Sequence, residues 1–390
     1  MTGNWQDLKI IRDFYQIAED GSMPEGSRML LDATDLVTFE PGEDVVTYGT
    51  SADDGMYIIL EGKTKVYGPK GALISEQETG DVVGELALIK DGTRKATVRA
   101  ATKVSCAHLS KPVFESMAQA NPKIYAAFLE LLYTKTTKIV VERERMKSEL
   151  EIAAKIQSGY LPKSFGKFNK MPNVKITARM KPAKEVGGDF YDVFRIDEDR
   201  LCFLIADVSG KGVPASLFMT VAKTHIKNYM SLDMPLAEMA ERVNNQLNED
   251  NDEELFVTVF ICVLDTKNHT LSFVNGGHNK PCISRAGSAF EMMDCKVDFV
   301  FGMMEDMPYR EQKTTLMPGD KFYLYTDGVT EAFNDREELF GDARLLEKLN
   351  QHMDLAEDPD QLLDTMYEEL HTFANGADQS DDITMVYLVR

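Results

Sequence analysis

Five apolar runs, most of them closed by an aspartate or a glycine turn, constrain this chain more than any other feature. They are LCFLIADV (201–208), LFVTVFICVLD (255–265), LSFVNGG (271–277), KFYLYTDG (321–328) and DITMVYLV (382–389). Each is short, rich in β-branched and aromatic residues, and read as a strand. Helix-like stretches at 213–249 and 342–375 alternate with them. The pattern predicts an α/β layered domain over residues 163–390, with acidic groups gathered at strand ends. A carboxylate emerging from a buried strand is costly unless it is paired or bound to a cation.

Four segments carry those acids: GGDFYDVF (187–194), ADVSGKG (206–212), YTDGVTEA (325–332) and SDDITMV (380–386). One Asp-Gly alone reads as a turn. Four such sites, distant in sequence, point instead to one shared cation cluster. Oxygen donors without His or Cys favour Mg²⁺ or Mn²⁺ over zinc.

The order GGDFYD, ADVSGKG, GGH, YTDGVTEA and DDIT resembles the metal-dependent protein phosphatase (PPM) family. It is most similar to the bacterial branch typified by the stage II sporulation phosphatase (SpoIIE-like), over about residues 145–390, and EIAAKIQSGYLP (151–162) looks like that domain's entry helix. The resemblance implies an α-β-β-α sandwich holding two Mn²⁺ or Mg²⁺ ions. It also implies the catalytic set Asp189, Asp207, Asp327 and Asp381. Asp207 would bridge both ions with the Val208 carbonyl nearby, Asp189 would serve one ion, and Asp327 and Asp381 the other. Asp382 adjoins Asp381, and either could coordinate. His278 in NGGHNKP reads equally as a general acid or a locally satisfied turn histidine. Lys211 reads better as an exposed turn lysine than as a phosphate contact. No cysteine is followed by Arg at the spacing a cysteine-based phosphatase requires.

Upstream, short β-rich pieces such as MYIIL, KTKVYG and ATVRA alternate with glycine turns over 36–110, which predicts a β-roll. Residues 1–35 read as short helices, with Leu8, Ile11, Phe14 and Ile17 at helical spacing, and another helix begins near Lys111. GELALIKDGTRKATVRA (84–100) resembles the phosphate cassette of cyclic-nucleotide-binding domains. It implies a ligand site at Gly84, Glu85, Leu86, Ala87, Arg94, Lys95 and Ala96. Arg94 would neutralise the cyclic phosphate and Glu85 would accept the ribose 2′-hydroxyl. Lys95 departs from the small residue usual after the arginine. Cyclic AMP is expected ahead of cyclic GMP.

Between these parts, 123–161 lacks Gly and Pro until Gly159. Leu132, Ile139, Met146, Ala153 and Tyr160 form one heptad seam, and Thr136, Arg143, Leu150 and Gln157 a poorer one. A dimeric coiled coil is the expectation, against a connector helix packed on its own domains.

The sequence thus predicts a multidomain α+β chain: a cyclic-nucleotide-binding sensor at 1–125, a helical dimerisation linker at 126–162 and a phosphatase domain at 163–390. The expected substrate is a phosphoserine or phosphothreonine protein, with an anti-anti-sigma (STAS) type regulator in a bacterium implied by the resemblance. The alternative is a nucleotide-responsive binding scaffold with an inactive phosphatase-like domain. A net charge of −21 argues against nucleic acid. Five scattered cysteines and no long apolar run argue for reduced thiols, a cytoplasmic location and no membrane span. A nucleotide-regulated transcription factor would continue into a basic helix-turn-helix. A histidine-kinase-like ATPase, loosely suggested by RVNNQLNED (242–250), would need a phosphoacceptor His within 123–161, where there is none.

Overall fold

The computed structural model describes residues 5–89, 92–120, 122–168 and 171–390. The chain divides into two compact units, Met1–Arg145 and Met146–Arg390.

The first unit opens with helices α1 (Lys9–Phe14) and α2 (Glu25–Asp32). Strands β1 (Asp35–Phe39), β2 (Asp44–Val46), β3 (Met56–Glu61), β4 (Lys63–Tyr67), β5 (Leu73–Glu78), β6 (Val82–Val83), β7 (Thr97–Ala100) and β8 (Val104–Leu109) follow. They make two antiparallel sheets, ordered β1-β8-β3-β6 and β2-β7-β4-β5. MYIIL is uniformly apolar because β3 is buried on both faces. Met56, Ile58 and Leu60 pack with Phe14, Leu30 and Phe114 of the flanking helices, while Tyr57 and Ile59 face the roll interior with Val98 and Cys106.

Helices α3 (Lys111–Ala120) and α4 (Pro122–Tyr160) follow β8. The uninterrupted 123–161 segment is indeed helical, and α4 passes through Gly159. Its expected seam divides by use. Leu132 packs on the first unit's core, whereas Ile139, Met146 and Tyr160 are exposed. Gln157, placed by the heptad on the companion seam, is instead buried.

The second unit contains β9 (Lys175–Lys181), β10 (Phe190–Arg195), β11 (Arg200–Val208), α5 (Val213–Met230), α6 (Leu236–Asn248), β12 (Val257–Asp265) and β13 (Thr270–Gly276). It continues with β14 (Cys282–Ser284), β15 (Glu291–Met292), β16 (Gln312–Thr315), β17 (Lys321–Tyr325), α7 (Asp327–Thr330), α8 (Gly341–Gln351), α9 (Pro359–Ala374) and β18 (Ile383–Val389). Two five-stranded sheets run β10-β11-β12-β13-β16 and β15-β14-β17-β18-β9. Strand alternation explains the layering. Phe322, Leu324, Val386 and Leu388 face the other sheet, in one core with Phe203 and Phe260. Tyr323, Tyr325, Met385 and Tyr387 face α8 and α9 instead. Helices α5 and α6 cover the outer side of the first sheet, giving four layers, α-β-β-α.

A buried ion pair fastens α5 to β10: the Lys223 ammonium meets the Asp192 carboxylate, with Lys227 at 4.0 Å. Burial pulls the Lys223 ammonium below its ordinary pKa, with Asp192 opposing that shift. Removing one partner of such a pair costs about 3–5 kcal/mol, while replacing both by apolar groups is often close to neutral. Lys223→Met is therefore expected to lower the urea midpoint strongly, and Asp192→Val in the same chain to recover most of the loss.

Candidate functional sites

Three loops and one strand end bring the predicted aspartates together. Asp189 begins β10's approach, Asp207 sits near the end of β11, Asp327 starts α7 and Asp381 precedes β18. Their charges act on one another. Asp189 is almost fully buried, and burial followed by the neighbouring Asp207 charge holds its carboxyl well above the usual range. Asp207 is pushed up to about 7 by burial, then by Asp327, with Asp381 and Asp382 adding to it. Asp327 is raised by burial, then by Glu331 and Asp381.

The loops can meet this closely because of glycine. A side chain at Gly328 would strike the Asp382 carbonyl, and one at Gly188 would lie 2.8 Å from the Val208 oxygen. Asp381 and Asp382 differ in their contacts. Asp382 accepts main-chain N–H bonds from Ala183 (2.8 Å), Gly188 (2.7 Å) and Asp189 (3.2 Å). Its carboxylate is committed to holding the loop. Asp381 instead faces Lys211, whose Nζ lies 2.7 Å from Oδ2 and donates to the Ser380 carbonyl at 2.6 Å. Lys211 is exposed in its turn, as expected, and is also paired with the acidic centre.

Among the described residues, no three His, Cys, Asp or Glu side chains already stand around one point as ready metal ligands. Lys211 and the Thr326 hydroxyl, which donates to Asp189 Oδ2 at 2.7 Å, engage carboxylate oxygens here. The donor chemistry nevertheless fits hard divalent cations: all-oxygen donors, with carboxyl pKa values raised by burial and then by neighbouring carboxylates.

His278 takes the local role. It is buried, its Nε2–H donates to the Tyr325 carbonyl (3.1 Å), and Nδ1 accepts from the Thr258 hydroxyl (2.8 Å). Thr258 is the cross-strand partner of Asp207, and Tyr325 lies two residues before Asp327. The ring therefore pins β12 to the end of β17 and has no free nitrogen for proton transfer.

In the first unit a cavity of about 470 Å³ is lined by Gly84, Glu85, Leu86, Arg94, Lys95 and Ala96, with apolar neighbours. Ala87 lies in the short helix Glu85–Leu88; its side chain, with residues 90 and 91, is outside the described set. Gly84 has φ +74°, and a side chain there would collide with the Arg94 guanidinium. Arg94 is buried, ion-paired to Asp54, and donates to the Gly55 (2.7 Å) and Gly84 (3.2 Å) carbonyls. Its buried Nε has no partner, which suits an anionic ligand. Lys95 is exposed at the rim. Glu85 is paired with Lys135 of α4 at 2.8 Å, and Lys135 also donates to the Val82 carbonyl at 3.0 Å.

Residues 36–121 match the family described as the cyclic nucleotide-binding domain, and residues 197–390 match Stage II sporulation protein E (SpoIIE). The chain joins a segment that matches the cyclic nucleotide-binding family to one that matches the SpoIIE family. It is 30% identical to protein IcfG of Synechocystis over 269 residues, covering 62% of this chain and 41% of that one. It is 29% identical to the phosphoserine phosphatase RsbU of Bacillus subtilis over 193 residues, 48% of this chain and 55% of that one. A cAMP-dependent protein kinase regulatory subunit of Candida albicans is 39% identical over 88 residues, 23% of this chain and 19% of that one. The SiaA-PP2C domain of Pseudomonas aeruginosa shares the fold, with a TM-score of 0.56 and 21% identity over 64% of this chain and 98% of that one. The chain spans about half the length of the first curated relatives it matches.

The matched spans hold the ligand-cassette residues and Asp207, Asp327, Asp381 and Asp382, while Asp189 precedes the SpoIIE match. Asp54, Lys135, Gln157 and Thr326 were not foreseen, because each acts through a fold contact distant in sequence. Burial holds the His278 imidazole at about 4, below its usual value of 6.5. The unfolded ring gains a proton as pH falls through 6.5, and the folded ring stays neutral until about 4, so stability drops across that window. By about pH 5 the loss is about 2 kcal/mol. Urea unfolding at pH 7 and pH 5 is expected to show this extra loss in the wild type and not in His278→Asn.

Proposed function

We propose that this chain is a metal-dependent protein serine/threonine phosphatase whose activity responds to a cyclic nucleotide. The observation that carries the reading is the convergence of Asp189, Asp207, Asp327 and Asp381, the first three with carboxyl pKa values raised by burial and then by neighbouring carboxylates. On this reading Asp189, Asp207, Asp327, Asp381 and the Val208 carbonyl hold two Mn²⁺ or Mg²⁺ ions. A pair of such ions supplies a water of lowered pKa and neutralises phosphate oxygens. Asp382 fixes the loop that carries Asp189, and His278 keeps β12 in register with the Asp327 turn. Lys211 offers a donor to a phosphate oxygen once Asp381 is otherwise engaged. The substrate class is a phosphoserine or phosphothreonine protein, in line with the RsbU name, and we assign it to a STAS-type regulator on the SpoIIE-like resemblance. A cytoplasmic setting suits five unpaired, buried thiols, and no described helix is long and apolar enough to cross a membrane.

Nucleotide control rests on the contact between Glu85 and Lys135. A ribose hydroxyl and the Lys135 ammonium would compete for the same carboxylate, so ligand binding bears directly on α4. Cyclic AMP is the favoured ligand, in line with the kinase-subunit relative. The exposed Ile139, Met146 and Tyr160 support pairing of α4 with a second copy.

Hydrolysis of para-nitrophenyl phosphate with Mn²⁺, with and without cyclic AMP, tests the reading. Turnover is expected to require Mn²⁺ and to shift with cyclic AMP. In Asp207→Asn it should fall beyond the about 10–100-fold typical of outer-shell changes. No turnover with any metal, on this substrate or a phosphoserine protein, would replace the enzyme by a binding scaffold. Turnover indifferent to the nucleotide would remove the sensor role alone. Light scattering on the full chain is expected to give a dimer mass, and a strictly monomeric mass would rule out pairing through 126–162.

A further inference from the structure

We propose that Gln157 is a positioning residue for Asp189, gripping the turn that carries it by both main-chain groups of Gly187. The inference rests on the two-cation reading above. Gln157 is 6% exposed, although Ile156 and Tyr160 beside it are 58% and 52% exposed. Its Nε2 donates to the Gly187 carbonyl at 2.6 Å, and its Oε1 accepts from the Gly187 N–H at 3.2 Å. Only a primary amide of this length can serve both groups from one rotamer.

The grip is opposed from the other side. A side chain at Gly187 would run into the Asp382 carboxylate and lie 2.8 Å from the Met180 methyl. The next two N–H groups, of Gly188 and Asp189, bond to that same carboxylate at 2.7 and 3.2 Å. Three successive residues are therefore fixed between Gln157 and Asp382. This sets the direction in which the Asp189 side chain leaves the turn. Without the amide, the Gly187 N–H and carbonyl lose their partners in a buried place, and the turn is free to seek others. Outer partners of this kind orient metal ligands, and their loss typically weakens metal binding by about 10–100-fold. Since Gln157 lies in the last turns of α4, a shift of that helix end would reach Asp189 through two hydrogen bonds.

Mn²⁺ binding to the full chain, followed by the electron paramagnetic resonance of free Mn²⁺, tests this without relying on turnover. Gln157→Met keeps the volume and removes the amide. It is expected to raise the Mn²⁺ dissociation constant about 10–100-fold, with kcat largely recovered at saturating Mn²⁺ and a thermal melt that confirms folding. A folded Gln157→Met with wild-type Mn²⁺ affinity, whatever its melting temperature, would leave the residue a merely structural clip and overturn the proposal. If Gln157→Met does not fold, Gln157→Asn, too short to span both groups, decides by the same measurement. A wild-type chain that binds no Mn²⁺ would overturn the two-cation reading itself, and this inference with it.

Discussion

Carboxylates that repel one another at one end of the second unit are the constraint to which the surrounding structure answers. Asp189, Asp207, Asp327, Asp381 and Asp382 sit within each other's fields, and burial makes that repulsion stronger than it would be in water. The fold does not relieve it by spacing the groups apart. It brings them closer, with glycines at 188 and 328 removing side chains that would hold the loops away. Relief comes from donors: Lys211 on Asp381, the Thr326 hydroxyl on Asp189, and three main-chain N–H groups on Asp382. The remaining charge is expressed as raised pKa values, the usual signature of a site arranged for a task other than stability.

Holding such a cluster demands a stiff frame, and the second unit supplies one by burying its strands on both faces. In β17 and β18 alternate residues serve two separate cores, so neither strand can slip by one residue without exchanging them. The polar links follow the same logic. His278 is useful as a neutral ring because it joins two strands, and a charged ring would lose its acceptor nitrogen. Lys223 and Asp192 tie α5 to β10 just beyond the Asp189 turn. None of these groups faces the acidic centre, yet each fixes an element that carries one of its carboxylates.

The legibility of the sequence follows from this arrangement. Asp207 and Asp327 were readable because they close apolar runs that have no other reason to end in an acid. The long strands β11, β12, β13, β17 and β18 were readable because burial on both faces makes them continuous in sequence. Strand β9, KITARMK, was not, since its lysines and arginine break the apolar run. The two roles of Asp381 and Asp382 could not be read, because adjacent acids look alike until one is seen to face backbone. The contact made by Gln157, which the heptad puts on the companion seam, could not be read for a related reason. Periodicity assigns a residue to a helix face but says nothing of what covers that face. Asp54 and Lys135 were invisible because ion-pair partners 40 and 50 residues away leave no local pattern.

Coupling between a nucleotide pocket and an acidic centre requires an element whose state matters to both. Free energy can pass only if the ligand distinguishes two arrangements of that element. Helix α4 meets the structural requirement at each of its ends. Lys135 contacts Glu85 within the first unit, and Gln157 contacts Gly187 within the second. Both contacts are polar and directional, so they report small displacements that a greasy interface would absorb. The Glu85–Lys135 pair is partly shielded from solvent, and the buried amide clasp is geometrically strict. On the proposed reading, the Glu85–Lys135 pair is the contact that a ligand would disturb and the Gln157–Gly187 clasp the contact that would respond.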